Sequence, residues 1–144
     1  MTESKTRIAL DNLVKVNKLK PEPADQAEFN GMLKAAKNKL KDVMLDGLST
    51  DSQFSLAYSA AHALALAALR WHGYRSDNRY LVFQCLQHTL GLSTIKWRVL
   101  DKCHNARNLA EYEGHLEIDA QLLKELIEIT LECQELVAAL PGLD

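Results

Sequence analysis

The sequence has few residues that interrupt helices, and those few stand at the ends of helical patterns. It contains three prolines and six glycines in 144 residues. Five glycines follow runs of helical periodicity, where glycine typically ends a helix: Gly47, Gly73, Gly91, Gly114 and Gly142. No Asn-Gly or Asp-Gly pair separates two alternating runs, so no β-hairpin is predicted. These absences indicate an all-α chain.

Several signatures of chemistry and targeting are missing as well. There is no Gly-rich phosphate loop, no Gly-x-Ser-x-Gly elbow and no Cys-x-x-Cys motif. The three cysteines, Cys85, Cys103 and Cys133, are odd in number and far apart, which favours buried thiols in a reducing compartment. Residues 1–20 show no secretory signal, and the most apolar run, 56–69, is too short to span a bilayer. A soluble, cytoplasmic protein without a metal or other cofactor is therefore expected.

Hydrophobic periodicity predicts six helical segments. The first, about 6–18, is short, and the second begins near Pro23. The third, with Asp51 as its N-cap, reaches Trp71 and is apolar on nearly all sides, so it should lie at the centre. Three more are expected over about 78–90, 93–112 and 119–140. Short connections then favour an up-and-down antiparallel bundle of four to five main helices at 21–144, preceded by a short N-terminal helix or arm at 1–20.

The small and apolar residues of the fifth segment predict which face of that helix is buried. The inward stripe should comprise Ile95, Val99, Cys103, Ala106 and Ala110. Trp97 lies opposite that stripe, which predicts an exposed, interfacial side chain.

Charged residues are distributed unevenly along the chain. Residues 70–108 hold seven basic and two acidic side chains, whereas residues 109–144 hold nine acidic side chains and one lysine. This segregation has two interpretations: a site for a polyanion, or a basic helix face that packs against an acidic one. For the first, aromatic residues near the bases could stack on nucleobases, and the candidate ligand-binding residues are Arg70, Arg75, Arg79, Arg98 and Arg107.

Two stretches carry a resemblance to a known family. One starts at Ala57-Tyr58, continues through an alanine-rich helix and ends in Gly73-Tyr74-Arg75. The other is Ala106-Arg107-Asn108-Leu109-Ala110-Glu111-Tyr112-Glu113-Gly114. Together, in this order and over about residues 25–140, they are similar to the HEPN family (higher eukaryotes and prokaryotes nucleotide-binding domain).

The resemblance implies a helical bundle, commonly a homodimer with a cleft between protomers, in toxin–antitoxin, phage-defence or RNA-processing systems. Nuclease members need no metal and carry an arginine, usually followed by a polar residue, and then a histidine after four to six residues. Arg107 and Asn108 match the start of that motif, but residues 112–114 are tyrosine, glutamate and glycine, and His115 lies one residue too far. In a catalytic version Arg107 would stabilise phosphate charge, Asn108 would position it, and His104 or Tyr112 would assist.

Two functional hypotheses follow from these residues. The first is a HEPN-like dimer that binds RNA or a nucleotide near Arg107, with weak or lost ribonuclease activity. The second is a non-catalytic interaction module whose partner is a nucleotidyltransferase, an antitoxin or another protein. Arg107 also has a purely structural interpretation, an i,i+4 salt bridge with Glu111. The histidines likewise have structural interpretations, with His62 in the core and His104 half-buried, and no zinc-ligand spacing is present.

Overall fold

The chain forms a bundle of helices in a computed structural model that describes residues 2–114 and 118–143. The elements are α1 (Thr2–Lys15), β1 (Lys20–Pro21), α2 (Gln26–Val43), α3 (Thr50–Trp71), β2 (Tyr74–Arg75), α4 (Arg79–Gln84), α5 (Leu86–Thr89), α6 (Thr94–Glu113) and α7 (Ala120–Ala138). The predicted all-α bundle is confirmed. Within the described ranges, no helix combines the length and the apolar character that a membrane span requires.

Helix α3 forms the centre of the bundle. It packs most extensively against α2 and α7. Buried alanines such as Ala60 and Ala67 let neighbouring backbones approach closely, while Leu64 and Leu69 fill the space between the helices. A helix that is apolar on nearly all sides is stable only when other helices cover it, and its composition had predicted this position.

Helix α1, predicted as a short N-terminal helix or arm, packs on one end of the bundle. Leu10 is fully buried there. The Thr6 hydroxyl donates to the carbonyl of His88 in α5 over 3.0 Å, and the Tyr74 hydroxyl donates to the carboxylate of Asp11. These contacts tie α1 to α5 and to the segment that follows α3.

Several predicted helix boundaries were displaced by local hydrogen bonding. Helix α3 is capped by Ser49, whose hydroxyl accepts from the Ser52 amide at 3.1 Å, and Asp51 lies in the first turn. Helix α2 begins at Gln26 rather than near Pro23, because its cap is Asp25. The fourth predicted helix is divided at Cys85 into α4 and α5.

A short antiparallel pairing, which was not predicted, joins the segment before α2 to the segment after α3. Lys20 lies opposite Arg75 and Pro21 lies opposite Tyr74. The chain turns out of α3 into β2 at Gly73, whose φ of +91° suits glycine alone among the common residues, and whose carbonyl accepts from the Glu22 amide at 2.9 Å. Two-residue strands are too short to show an alternating pattern, so periodicity gave no signal for them.

The buried face of α6 agrees in part with the predicted stripe, since Cys103 is buried and Val99 packs against the core as expected. Ile95, expected inward, is 80% exposed, whereas Trp97, expected at the surface, is 8% exposed. The Trp97 ring packs edge-on against Tyr80, with ring centroids 6.2 Å apart. Burial of the larger aromatic surface outweighs burial of Ile95. The buried stripe therefore starts from Trp97 and Leu100, and it carries His104 and Arg107 toward α3 and α4.

Candidate functional site

Tyr58, near the middle of α3, is the centre of a polar cluster inside the bundle. Its side chain is among the largest that are fully buried. A buried phenol needs a hydrogen-bond partner, and the hydroxyl finds one in His104 Nδ1 of α6, 2.8 Å away. The two rings are also nearly parallel, with centroids 6.3 Å apart. This contact couples α3 to α6 at the position where the sequence suggested a ligand site.

Asn108 completes a chain of hydrogen bonds through His104. Its side-chain Nδ2 lies 3.2 Å from His104 Nε2. Because an amide N–H can only donate, Nε2 is the acceptor, and the imidazole is neutral with Nδ1–H donating to Tyr58. Burial lowers the pKa of His104, Asp101 opposes this, and the charges of Arg79 and Arg107 lower it further. A neutral His104 at pH 7 agrees with both the geometry and the electrostatics.

Two guanidinium groups lie against the same Tyr58 ring. The Arg107 Cζ is 5.2 Å from the ring centroid and the Arg79 Cζ is 5.7 Å from it. Both distances fall within the range of a cation–π contact. Arg107 comes from α6 and Arg79 from the first turn of α4, so the fold brings together charges that are 28 residues apart in the sequence.

Most N–H donors of these two arginines have no hydrogen-bond partner among the residues that the structure describes. Arg107 Nη1 lies 3.5 Å from Glu111, in an i,i+4 pair whose side chains are both partly exposed. Pairs of this kind contribute little. In the ranges 2–114 and 118–143, no carboxylate forms an ion pair with Arg79. Free N–H groups on two convergent cations favour an anion such as phosphate.

The same positive charges affect the pKa of His62. Its ring lies edge-on to Phe83 at 5.9 Å, and the side chain is half-buried rather than enclosed in the core. Burial lowers the pKa of His62 to about 4, and Arg79, Arg107 and His104 contribute in that order. His62 is therefore neutral at pH 7. We name this group the Tyr58 cluster: Tyr58, His62, Arg79, Phe83, His104, Arg107 and Asn108.

Arg70 and Arg75, predicted as ligand-binding residues, lie in a separate internal network. Arg70 is 2% exposed. It donates to Glu28 at 2.5 Å and to the backbone carbonyls of Glu22, Pro23 and Tyr74. Arg75 donates to Glu22 at 2.5 Å and to both oxygens of Glu28. Their donors serve to hold the start of α2 against the end of α3, and the structure does not bring them to the Tyr58 cluster.

The other predicted site residues lie at the surface. Arg98 is exposed, on the outer side of α6, where it lines a shallow groove with Lys102 and residues of α7. Tyr112 is 90% exposed in the last turn of α6. Among the described residues, no hydrogen bond, ion pair or ring contact joins either side chain to the Tyr58 cluster. His115, the histidine nearest to the expected motif position, lies outside the described residues.

The positions of the side chains in the Tyr58 cluster favour anion binding over proton transfer. Both nitrogens of His104 are engaged, by Tyr58 and by Asn108. To accept a proton, Nε2 must first lose its bond to Asn108. The thiols do not supply a nucleophile, because burial raises the pKa of Cys85, Cys103 and Cys133 to about 12. Among the described residues, no group of three His, Cys, Asp or Glu side chains converges as a metal site would.

Sequence reasoning singled out Arg79, Arg107, His104 and Asn108 but gave Tyr58 no role of its own. A signal was present, because a tyrosine amid the buried alanines of α3 requires a polar partner on a neighbouring helix. His62 was predicted to be a core residue, because periodicity alone could not show that α4 and α6 bring charges next to it.

Comparisons of the chain with protein-family models, with curated proteins and with solved structures give no match.

Proposed function

We propose that this chain is a HEPN-like, dimeric, cytoplasmic helical module that binds RNA or a nucleotide through the Tyr58 cluster, as part of a toxin–antitoxin or phage-defence system. The observation that carries the proposal is the convergence of Arg79 and Arg107 on Tyr58. Arg70 and Arg75 are each paired with two glutamates, whereas Arg107 has one partly exposed partner, Glu111, and Arg79 has no acidic partner among the described residues. A phosphate group supplies the missing negative charge and accepts their free N–H donors.

Binding of a short, fluorescently labelled oligouridylate tests the role of the arginines. Arg79→Gln and Arg107→Gln should each weaken binding by about tenfold, because each removes a charge-assisted hydrogen bond. Each should also reduce the slope of log affinity against log salt by about 0.7, the value for one phosphate contact to a single strand. Arg98→Gln is the matched control, since Arg98 is exposed and lies outside the Tyr58 cluster. Equal losses for all three variants would contradict a defined site.

Catalysis is a separate part of the proposal. We expect weak or no cleavage of mixed RNA, because both His104 nitrogens are occupied and the motif histidine is absent. Any cleavage by the wild type should be abolished by Arg107→Ala and reduced by His104→Gln. Cleavage that persists unchanged in Arg107→Ala would show that the Tyr58 cluster is not the catalytic site. Binding without cleavage would leave a pure recognition module.

A second candidate function is a non-catalytic interaction module, with a nucleotidyltransferase, an antitoxin or another protein as partner. One observation favours it: the outer side of α6 exposes Ile95, Leu109 and Tyr112. Leu109 and Tyr112 are three residues apart and are therefore neighbours on the helix surface, whereas Ile95 lies about four turns away. Adjacent exposed apolar side chains are typical of protein interfaces. The same surface is available to a second copy of the chain, so it also supports the proposed homodimer.

Analytical ultracentrifugation of the wild type and of Leu109→Lys tests the α6 surface. A dimer that dissociates in Leu109→Lys supports self-association through this face. A monomeric wild type would overturn the dimer and would leave the face to a different partner. Salt dependence separates the two functions: a complex formed through an apolar face should change little between low and moderate salt, whereas RNA binding should weaken steeply.

A further inference from the structure

A second cavity lies at the end of the bundle formed by the start of α1, the C-terminal ends of α3 and α7, and α5. Its volume is about 490 Å³, within the range of small-molecule sites. The lining is mostly apolar, with Trp71, Leu136 and Leu140 among its walls. The indole Nε1 of Trp71 donates to the Pro141 carbonyl at 2.8 Å, which fixes the ring at the rim. The cavity shares no residue with the Tyr58 cluster.

Thr89 supplies this cavity with an unused polar group. The side chain is buried, and its hydroxyl has no hydrogen-bond partner in the described structure. A helical threonine commonly donates to the carbonyl four residues earlier. Here that carbonyl, of Cys85, already accepts from the amides of His88 and Thr89. Rotation about χ1 exchanges the methyl and hydroxyl positions, so the hydroxyl can turn toward an occupant. A buried hydroxyl without a partner is costly, and a ligand oxygen would relieve that cost.

The charged side chains that line the cavity indicate the sign of the charge that a ligand would carry. The described residues around the cavity include Lys5, His72 and His88, and they include no carboxylate side chain. Burial lowers the pKa of His88, so this imidazole offers a neutral N–H rather than a charge. Lys5 is exposed at the mouth and supplies the positive charge. An apolar chamber with a lysine at its entrance and the hydroxyl of Thr89 inside is complementary to an apolar molecule that ends in one carboxylate.

We propose that this cavity binds a small amphipathic monocarboxylate, with its apolar body against Trp71, Leu136 and Leu140. Its carboxylate lies on the side where α1 meets α5, toward Lys5 and Thr89, the sequence neighbours of the bonded pair Thr6 and His88. The site is independent of the proposed function, because it lies on different elements from Arg79 and Arg107. A ligand here contacts α1, α3, α5 and α7 together, so its binding should also stabilise the packing of α1 on the bundle.

Tryptophan fluorescence reports occupancy directly, because Trp71 lines the cavity. The chain has two tryptophans. The second, Trp97, is replaced in the variant Trp97→Phe. The protein should tolerate this change, because the buried Nε1 of Trp97 has no hydrogen-bond partner among the described residues. In that background, octanoate below its micellar concentration should change the Trp71 emission in a saturable way. Octanoate should bind at least about threefold more tightly than octanol, the advantage of one partly exposed ion pair, and octyltrimethylammonium should bind most weakly.

Two matched pairs of variants locate the binding. Leu136 and Leu131 are both in α7 and are 37% and 36% exposed, but only Leu136 lines the cavity. Leu136→Phe should fill the space and abolish the octanoate response, whereas Leu131→Phe should leave it unchanged. Lys5→Gln should remove the preference for octanoate over octanol, and Lys15→Gln should not. The inference is overturned if octanoate gives no saturable response, if octanol binds equally well to the parent protein, or if both leucine variants behave alike.

Discussion

Replacement of Arg70 by methionine is the sharpest test of how the basic residues divide between structure and ligand binding. Arg70 Nε donates to Glu28 Oε1 at 2.5 Å, Nη1 donates to the Glu22 carbonyl at 2.8 Å, and Nη2 donates to the Pro23 carbonyl at 2.6 Å. A further bond of 3.3 Å reaches the Tyr74 carbonyl. Methionine keeps much of the apolar volume of the side chain and removes all four hydrogen bonds.

The expected loss in the free energy of unfolding for Arg70→Met follows from the burial of the Arg70 side chain. Loss of one member of a buried ion pair costs about 3–5 kcal/mol. The Glu28 side chain is 34% exposed and can recover part of its hydration, so the lower end of that range, about 3 kcal/mol, is the expected loss for Arg70→Met. At about 3–4 °C per kcal/mol for a chain of this length, the melting temperature should fall by about 10 °C. This is a large fraction of the stability of a typical domain.

Urea unfolding followed by far-UV circular dichroism measures the loss of free energy. The midpoint should fall while the m-value stays constant, because the variant reaches the same folded and unfolded states. Arg98→Met is the control, since Arg98 is exposed and forms no ion pair within the described residues; its change should stay within about 0.5 kcal/mol. A loss below about 1 kcal/mol for Arg70→Met would refute the assignment of Arg70 to the internal network.

Three further predictions concern the interior. Tyr58→Phe should cost about 1–2 kcal/mol in urea unfolding because it leaves a His104 nitrogen without its partner, whereas Tyr80→Phe at the surface should change little. The His62 pKa is about 4 in the folded chain against 6.5 for the free group. The unfolded chain therefore binds the proton first, and stability should fall as the pH drops from about 6.5 toward 4. His62→Gln should flatten that part of the profile. The three cysteines should react with a thiol reagent only after unfolding, because all are buried. A thiol of the folded protein that reacts as fast as free cysteine would contradict this burial.

The fold could be predicted from the sequence because its signals are local. Glycines and capping residues mark the helix ends, and the segments expected from about 93 and 119 begin next to their caps, Ser93 and Asp119. The apolar character of α3 predicted its central position. Errors of one to three residues arose where a nearer side chain could cap the helix, as Ser49 does in place of Asp51.

The site was harder to predict because it depends on the rotation of one helix. The small residues of α6 and its large aromatic residue indicate different buried faces, and periodicity does not decide between them. Packing decides, because Trp97 finds Tyr80 of α4 beside it. The resulting rotation buries Leu100 and directs His104 toward Tyr58.

Local charge balance in the sequence also fails to distinguish the two kinds of arginine. Arg75 and Arg79 are four residues apart, yet Arg75 is paired with Glu22 and Glu28, and Arg79 lies beside Tyr58 without an acidic partner in the described chain. The glutamates that neutralise Arg70 and Arg75 are more than 40 residues away in sequence. Only the tertiary fold therefore reveals which basic residues retain charge for a ligand. It leaves Arg79 and Arg107, both of which lie against the ring of the buried Tyr58, as the pair whose removal should affect binding more than stability.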